Sequence, residues 1–343
     1  MIYGVELTSS NLIRVFSLTT IAFLVAILLT PLLSDLLYKY RLTKQLREKT
    51  WDGEPARLFR KMHRLKKGTP TMGGLLIWIT AGVVTVLFNL SRSQTWLPLF
   101  VLVTSGTLGF IDDFLNVRKV NLVRGMTANI RFLFQFAIAG FGAWWFYYKL
   151  GFDEIRIPAA ELLNLPSMVD IGWLYIQLFV LVVVFLSNAV NITDGLDGLA
   201  GGTLAASFAA IMGIALVQQQ VGIAAFAGTI IGALLAFLWF NIYPARFFMG
   251  DTGAFALGAT LAVLAFLTNT VLLLPIIGFI FVIEAASSLL QRFSKQYWGR
   301  KIFRIAPLHH HFEAVGWPEA KVTMRFWVIA AVMAGIGLVI GLI

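Results

Sequence analysis

The chain has 343 residues, 59% of them hydrophobic and only 13% charged, with a mean hydropathy of +0.82. That balance excludes an ordinary soluble domain and belongs to multi-span membrane proteins, and the absence of cysteine excludes disulfides and thiolate chemistry. A formal charge of +10 would suit a nucleic-acid binder, but the placement of the basic residues accounts for it as membrane sidedness, so no nucleic-acid partner is expected.

In chain order, ten spans are predicted near 12–38, 72–90, 96–111, 129–149, 173–190, 200–217, 222–242, 253–269, 271–290 and 325–343. Runs such as Ile21 to Leu33, Leu174 to Leu186 and Leu257 to Leu267 are apolar on every face, so they need lipid or other helices all around. The first stretch, Leu12 to Tyr38, is too long for a signal-peptide core and is read as a permanent span. Of the 27 Lys and Arg, only Arg14, Arg92, Lys149 and Arg156 then fall at the N-terminal end or the even-numbered connections. The richer side is cytoplasmic, which puts both termini outside. The fold class is all-α and polytopic, residues 1–343 forming one integral domain in a lipid bilayer, with no internal repeat.

The outer connections are short and plain, except Gly151 to Gly172. Its alternating Ile155-Arg156-Ile157 and two prolines predict a small hairpin with a short helix, in a structural role. The inner connections, 39–71, 112–128, 191–199, 243–252 and 291–324, hold all four histidines and most of the acids. Five polar clusters therefore share the cytoplasmic face.

Lys66-Lys67-Gly68-Thr69-Pro70-Thr71 offers charge and flexible backbone for phosphate, although it lacks the Gly-Lys-Ser/Thr of a Walker A loop. Asp112-Asp113 closes the third span, where a helix C-terminus disfavours anions and adjacent carboxylates repel. The pair needs a cation or a basic partner, or is merely two solvated charges beside Arg118 and Lys119. Asn191 to Asp197 spaces Asn191, Asp194 and Asp197 three apart, on one face if helical. Its glycines argue for a turn that brings backbone N–H groups to a ligand, and the same residues also make an ordinary loop. Asp251, in Met249-Gly250-Asp251-Thr252-Gly253, opens the eighth span, either as an N-cap or as a metal ligand beside a phosphate-binding helix terminus. Phe247 and Phe248 are placed to stack on a base or to anchor at the interface. In Pro307-Leu308-His309-His310-His311-Phe312-Glu313, three consecutive imidazoles cannot share one ion from a regular helix, so a zinc site of these three is not expected. Two of them could meet a phosphate or another side chain, or all could be solvated. His63 reads as a surface residue. Glu284 lies within the ninth span and needs a partner or a cavity, while Pro275 and Gly278 upstream could bend that helix.

Scattered carboxylates with phosphate-friendly glycines point to Mg²⁺-assisted chemistry on phosphates. The opposing class, an ion-coupled transporter, would place its acids near the midplane and show repeated halves.

Phe110-Ile111-Asp112-Asp113, Asn191-x-x-Asp194-Gly195-Leu196-Asp197-Gly198-Leu199, Phe248-Met249-Gly250-Asp251 and Pro307 to Glu313 resemble the polyprenyl-phosphate N-acetylhexosamine-1-phosphate transferases. Gly68 to Gly74 and the ending Gly316-Trp317-Pro318-Glu319 to Arg325-Phe326-Trp327 resemble the branch whose donor is UDP-N-acetylmuramoyl-pentapeptide. The resemblance runs from about Lys66 to the C-terminus. It implies transfer of the phospho-sugar to undecaprenyl phosphate, giving lipid I and UMP in peptidoglycan synthesis. A UDP-GlcNAc-dependent relative is the alternative. It further implies ten spans, a homodimer, the cytoplasmic (inner) membrane of a bacterium, and Mg²⁺ on Asp251. The catalytic set becomes Asp112, Asp113, Asp251 and His310. The substrate contacts become Lys66, Thr71, Asn191, Asp194, Asp197, Asn241, Phe248, Gln291, His309 and His311. Two positions depart from the pattern: Arg131 stands where a lysine is expected, and Ala254 where a serine is expected.

Overall fold

The computed structural model describes residues 8–43, 66, 68–118, 125–160 and 165–343. His63 and most of the basic run 57–67 lie outside them, as do Lys119 and residues 161–164 of the outer connection. Helices α1 (Ser9–Lys39), α2 (Gly74–Phe88), α3 (Trp96–Arg118) and α4 (Ala128–Trp144, continued by a π-turn Trp145–Lys149) form the first half. A hairpin follows, β1 (Glu154–Arg156) antiparallel to β2 (Met168–Asp170) with Ile155 opposite Val169, as the alternation predicts. Then come α5 (Leu174–Thr193), α6 (Leu199–Val217), α7 (Val221–Asn241) and α8 (Gly250–Leu267). A 3-10 turn Val271–Leu273 leads into α9 (Leu274–Ile277), α10 (Phe279–Trp298), α11 (Leu308–Val315) and α12 (Glu319–Leu342).

Each predicted span coincides with one helix or a broken pair. Seven of the helices are long and apolar enough to cross a membrane, eight if Val271–Ile277 and Phe279–Trp298 count as one. At 15 residues, α2 is about 22 Å long, shorter than the hydrocarbon core. The ninth span is broken at Gly278 by 81°, as Pro275 and Gly278 allow. Beyond the bend, α10 buries Glu284, Ser287, Gln291 and Ser294 along one stripe and exposes Leu289, Leu290 and Phe293.

The third span differs from its prediction. Its helix continues seven residues past 111 to Arg118, so Asp112 and Asp113 are buried inside a helix rather than solvated at its end. Close approach to α8, the most deeply buried span at 94%, is the cause. Gly109 has no room for a Cβ because Asp251's carbonyl lies against it, and Gly74 meets Gly253 in the same way. Without a hydrophobic drive between helices in lipid, such small-residue contacts let backbones close up.

Sidedness is internally consistent. At one end of the bundle Asn11 meets Gln219, Arg14 meets Asn89, and Arg156 donates to the carbonyl of Gly341 and, through its backbone N–H, to Asn269. Both ends of the described chain therefore lie at the end holding the hairpin and the short turns. The five polar clusters lie at the other.

Candidate functional site

The start of α8 is the pivot. Gly250 adopts φ +73°, and a Cβ there would overlap Asp113 and Thr71; glycine is what lets the chain enter this helix between them. Its N–H donates to Asp194 Oδ2 at 3.1 Å, and Thr252 donates to Asp113 Oδ2 from both its N–H (3.0 Å) and its hydroxyl (2.8 Å). Two of the unsatisfied N–H groups of the helix terminus thus already hold carboxylates of this chain, where sequence reasoning had offered them to a phosphate. Asp113 caps α8.

Asp112 of α3 and Asp251 of α8 face one another across a shared cation. Arg131 of α4 lies between them, Nη1 3.1 Å from Asp112 Oδ2 and 3.6 Å from Asp251 Oδ2. Asn191, at the end of α5, donates to Asp251 Oδ1 at 2.6 Å, and the N–H of Met126 donates to Asp112 Oδ1 at 2.6 Å. Two facing carboxylates with one guanidinium leave an excess of negative charge and hard oxygen donors. Among the described residues no group of three or more His, Cys, Asp and Glu forms a metal cage. Magnesium suits a pair of this kind, since it takes one or two carboxylates and completes its shell with water and substrate oxygens. Residues and ion fit.

From this pair the site extends through the loop after α5. Gly195 abuts His309 so closely that a Cβ would meet Nε2. His309 is fully buried, its Nδ1 3.0 Å from Glu284 Oε2 and its N–H donating to Glu284 Oε1, so the buried Glu284 has its partner. Among the described residues, His309 Nε2 and the hydroxyl of Thr71 are buried polar atoms without a hydrogen-bond partner. His310, next to it, has Nδ1 2.7 Å from Glu313 Oε2, and His311 Nδ1 accepts the N–H of Arg304. Lys66 bridges Asp197 Oδ1 (2.7 Å) and Glu319, and its ammonium lies 5.7 Å from the half-buried Phe248 ring. Burial works against the Lys66 charge, but Glu319 and Asp197 outweigh it and hold the pKa above its ordinary value. The Glu313 carboxyl is pushed up to about 7, by burial first and then by Glu319, against the opposing pull of His309 and Lys66.

All fourteen predicted site residues lie at this end of the bundle, and three of them are tied largely to the chain's own backbone. The three are turned inward. Asp197 accepts from the N–H of Ala245 as well as from Lys66, Asn241 ties Gly198 N–H to the carbonyl of Phe247, and Gln291 holds Ile302 and Phe303 by their backbones. They shape the site's loops. Phe247 is core, packed on Phe237 and Phe240, and Ala254 is fully buried. Sequence reasoning did not assign Arg131, Glu313, Glu319 or the network in which Asn188 donates to Gln135 and Gln135 to Ser187 between α4 and α5. Polar residues within apolar spans were the available signal for the last.

The helical bundle has membrane-span character and carries this oxygen-rich site at one end, and the family model of glycosyl transferase family 4, which matches residues 95–269, makes it a membrane transferase. The phospho-N-acetylmuramoyl-pentapeptide-transferase signature 1 matches residues 66–77. Proteins of that name from Bacillus subtilis (strain 168) and Geobacillus sp. (strain WCH70) are 41% and 40% identical over 324 and 326 residues, each alignment covering 93% of this chain and 95% of the relative. One from Chloroflexus aurantiacus (strain ATCC 29366 / DSM 635 / J-10-fl) is 44% identical over 293 residues, 82% of this chain and 79% of the relative. The chain belongs to the phospho-N-acetylmuramoyl-pentapeptide-transferase family.

Proposed function

We propose that the protein transfers phospho-N-acetylmuramoyl-pentapeptide from its UDP-linked donor to undecaprenyl phosphate, giving lipid I and UMP in peptidoglycan synthesis. The observation that carries the reading is the pairing of Asp112 and Asp251 across Arg131, with Asn191 donating to Asp251, at one end of the bundle. An oxygen of the lipid phosphate attacks the β-phosphorus of the donor, and the bond from that phosphorus to the bridging oxygen breaks, releasing UMP. Such a transfer needs positioning and charge neutralisation more than covalent help. A phosphate monoester, with its second pKa near about 6, is already largely dianionic at neutral pH. Both oxygens of Asp112 are engaged, by Met126 N–H and Arg131, which favours Asp112 orienting the acceptor over Asp112 forming a phospho-enzyme. Arg131 places its guanidinium beside the pair, where an incoming phosphate can share it. Phe248, half-buried beside Lys66, offers a face to the uracil. Asp251 and Asp112 are the residues that would hold Mg²⁺, which when bound supplies charge neutralisation on the diphosphate.

The reading includes ten spans with both termini outside, a homodimer, and the cytoplasmic membrane of a bacterium. The excess of Lys and Arg at the site's end of the bundle supports the orientation. The purified protein with UDP-N-acetylmuramoyl-pentapeptide, undecaprenyl phosphate and Mg²⁺ is expected to release UMP, and not with UDP-GlcNAc. Release from UDP-GlcNAc alone would move the protein to the other branch, and solute uptake into proteoliposomes without UMP release would make it a transporter.

A further inference from the structure

Of the three consecutive histidines of the eight-residue α11, the first two are each tied at Nδ1 by a carboxylate from a different place. His309 is held by Glu284 of α10 at 3.0 Å, with both side chains fully buried, and this pair fastens α11 to the bundle. His310 is held by Glu313, one turn further along α11, at 2.7 Å, both side chains 8% exposed. The two imidazoles are 4.1 Å apart between ring centroids and cross at 62°. His309 therefore fixes the platform and His310 stands on its rim.

We propose that Glu313 is a positioning residue that fixes the orientation and the tautomer of His310, and so the way this imidazole meets the anionic donor. The inference rests on the transferase reading. A carboxylate that accepts the Nδ1 proton locks the ring about its Cβ–Cγ bond and leaves Nε2 as the nitrogen that carries the chemistry. The carboxyl sits among the charges that decide its state. Glu319 and Asp197 disfavour its ionisation, His309 and Lys66 favour it, and its own burial disfavours it most. A glutamate placed only for packing would not be buried at 2.7 Å from an imidazole, because burying it without a partner is costly.

The test is a double-mutant cycle on affinity for UDP-N-acetylmuramoyl-pentapeptide, measured by calorimetry on the full chain in lipid nanodiscs. Glu313→Leu is expected to weaken the donor about tenfold when His310 is present and less than about twofold when His310 is already Asn, the non-additivity of residues acting as one unit. Glu313→Gln, which keeps an acceptor oxygen, is expected to recover most of the loss. Equal losses in both backgrounds overturn the proposal. Nitrogen-15 spectra of histidine-labelled protein, with His310 assigned from His310→Asn, read the same claim without donor. The Nδ1–H form is expected to dominate in the wild type and to lose ground to Nε2–H in Glu313→Leu, whereas an unchanged ratio overturns it. Should Glu313→Leu fail to fold, Glu313→Ala, which also lacks an acceptor, carries the spectra with the same expected and overturning results. Failure of the wild type to bind the donor, with the tautomer shift intact, would count against the transferase reading alone.

Discussion

At the residue scale, the geometry is most explicit at Arg131. A planar guanidinium with five donors can serve Asp112 and Asp251 together, which an ammonium does only as a point charge. Arg131→Met is expected to lower the rate of UMP release by about a hundredfold or more, the scale of losing one preorganised electrostatic contact, while Arg131→Lys keeps it within about tenfold. A steady-state UMP assay separates the two. Glu313 gives a pH prediction. Its folded pKa of about 7 lies above the usual carboxylate value, so its contribution to stability is present below about 4.5 and is lost as pH rises through about 7. Melting midpoints between pH 5 and 8 should fall more steeply for the wild type than for Glu313→Gln. Of the predicted site residues, Asp112, Asp194, Asp251 and the histidines were legible because acids and imidazoles at membrane boundaries are costly without a task. Asn241, Asp197 and Gln291 were legible as polar residues, but a sequence does not say whether an amide or carboxylate turns to a ligand or to its own backbone.

At the scale of elements, the site is made by how closely α3 and α8 approach. The contact depends on Gly109, whose missing side chain is replaced by the backbone of Asp251. Gly109→Ala must push the two helices apart and with them Asp112 from Asp251, although neither carboxylate is touched. The expected result is a fall in UMP release of about tenfold or more together with a lower melting midpoint, because overpacking of such contacts costs about 1–3 kcal/mol. Unchanged activity and melting would mean that α3 and α8 do not need this separation. The spans themselves were legible from apolar length. Two of their features were not: the extension of α3 to Arg118, which a neighbouring helix terminus makes favourable, and the 81° break of the ninth span, for which Pro275 and Gly278 gave the place but not the angle.

At the scale of the whole molecule, the five polar clusters are separated by up to some 240 positions along the chain and still converge, because each lies near a helix end on the same side. Alternating sidedness is a consequence of antiparallel neighbours, so once the spans were read, the gathering followed. What did not follow from the spans was which polar groups meet, since the pairing of Asp112 and Asp251 across Arg131 depends on helix tilt and rotation. Orientation across the membrane is open to direct measurement, and the chain suits it because it contains no cysteine. Ser93 in the exposed turn before α3 and Ser167 in the hairpin connection lie at the end with the chain termini, and Lys321 near the start of α12 lies at the site's end. In sealed, right-side-out vesicles, Ser93→Cys and Ser167→Cys are expected to react with a membrane-impermeant maleimide, and Lys321→Cys only after permeabilisation. The reverse pattern would place the site outside, away from the compartment where a UDP-linked donor is made, and the transferase reading would lose the sidedness on which it depends.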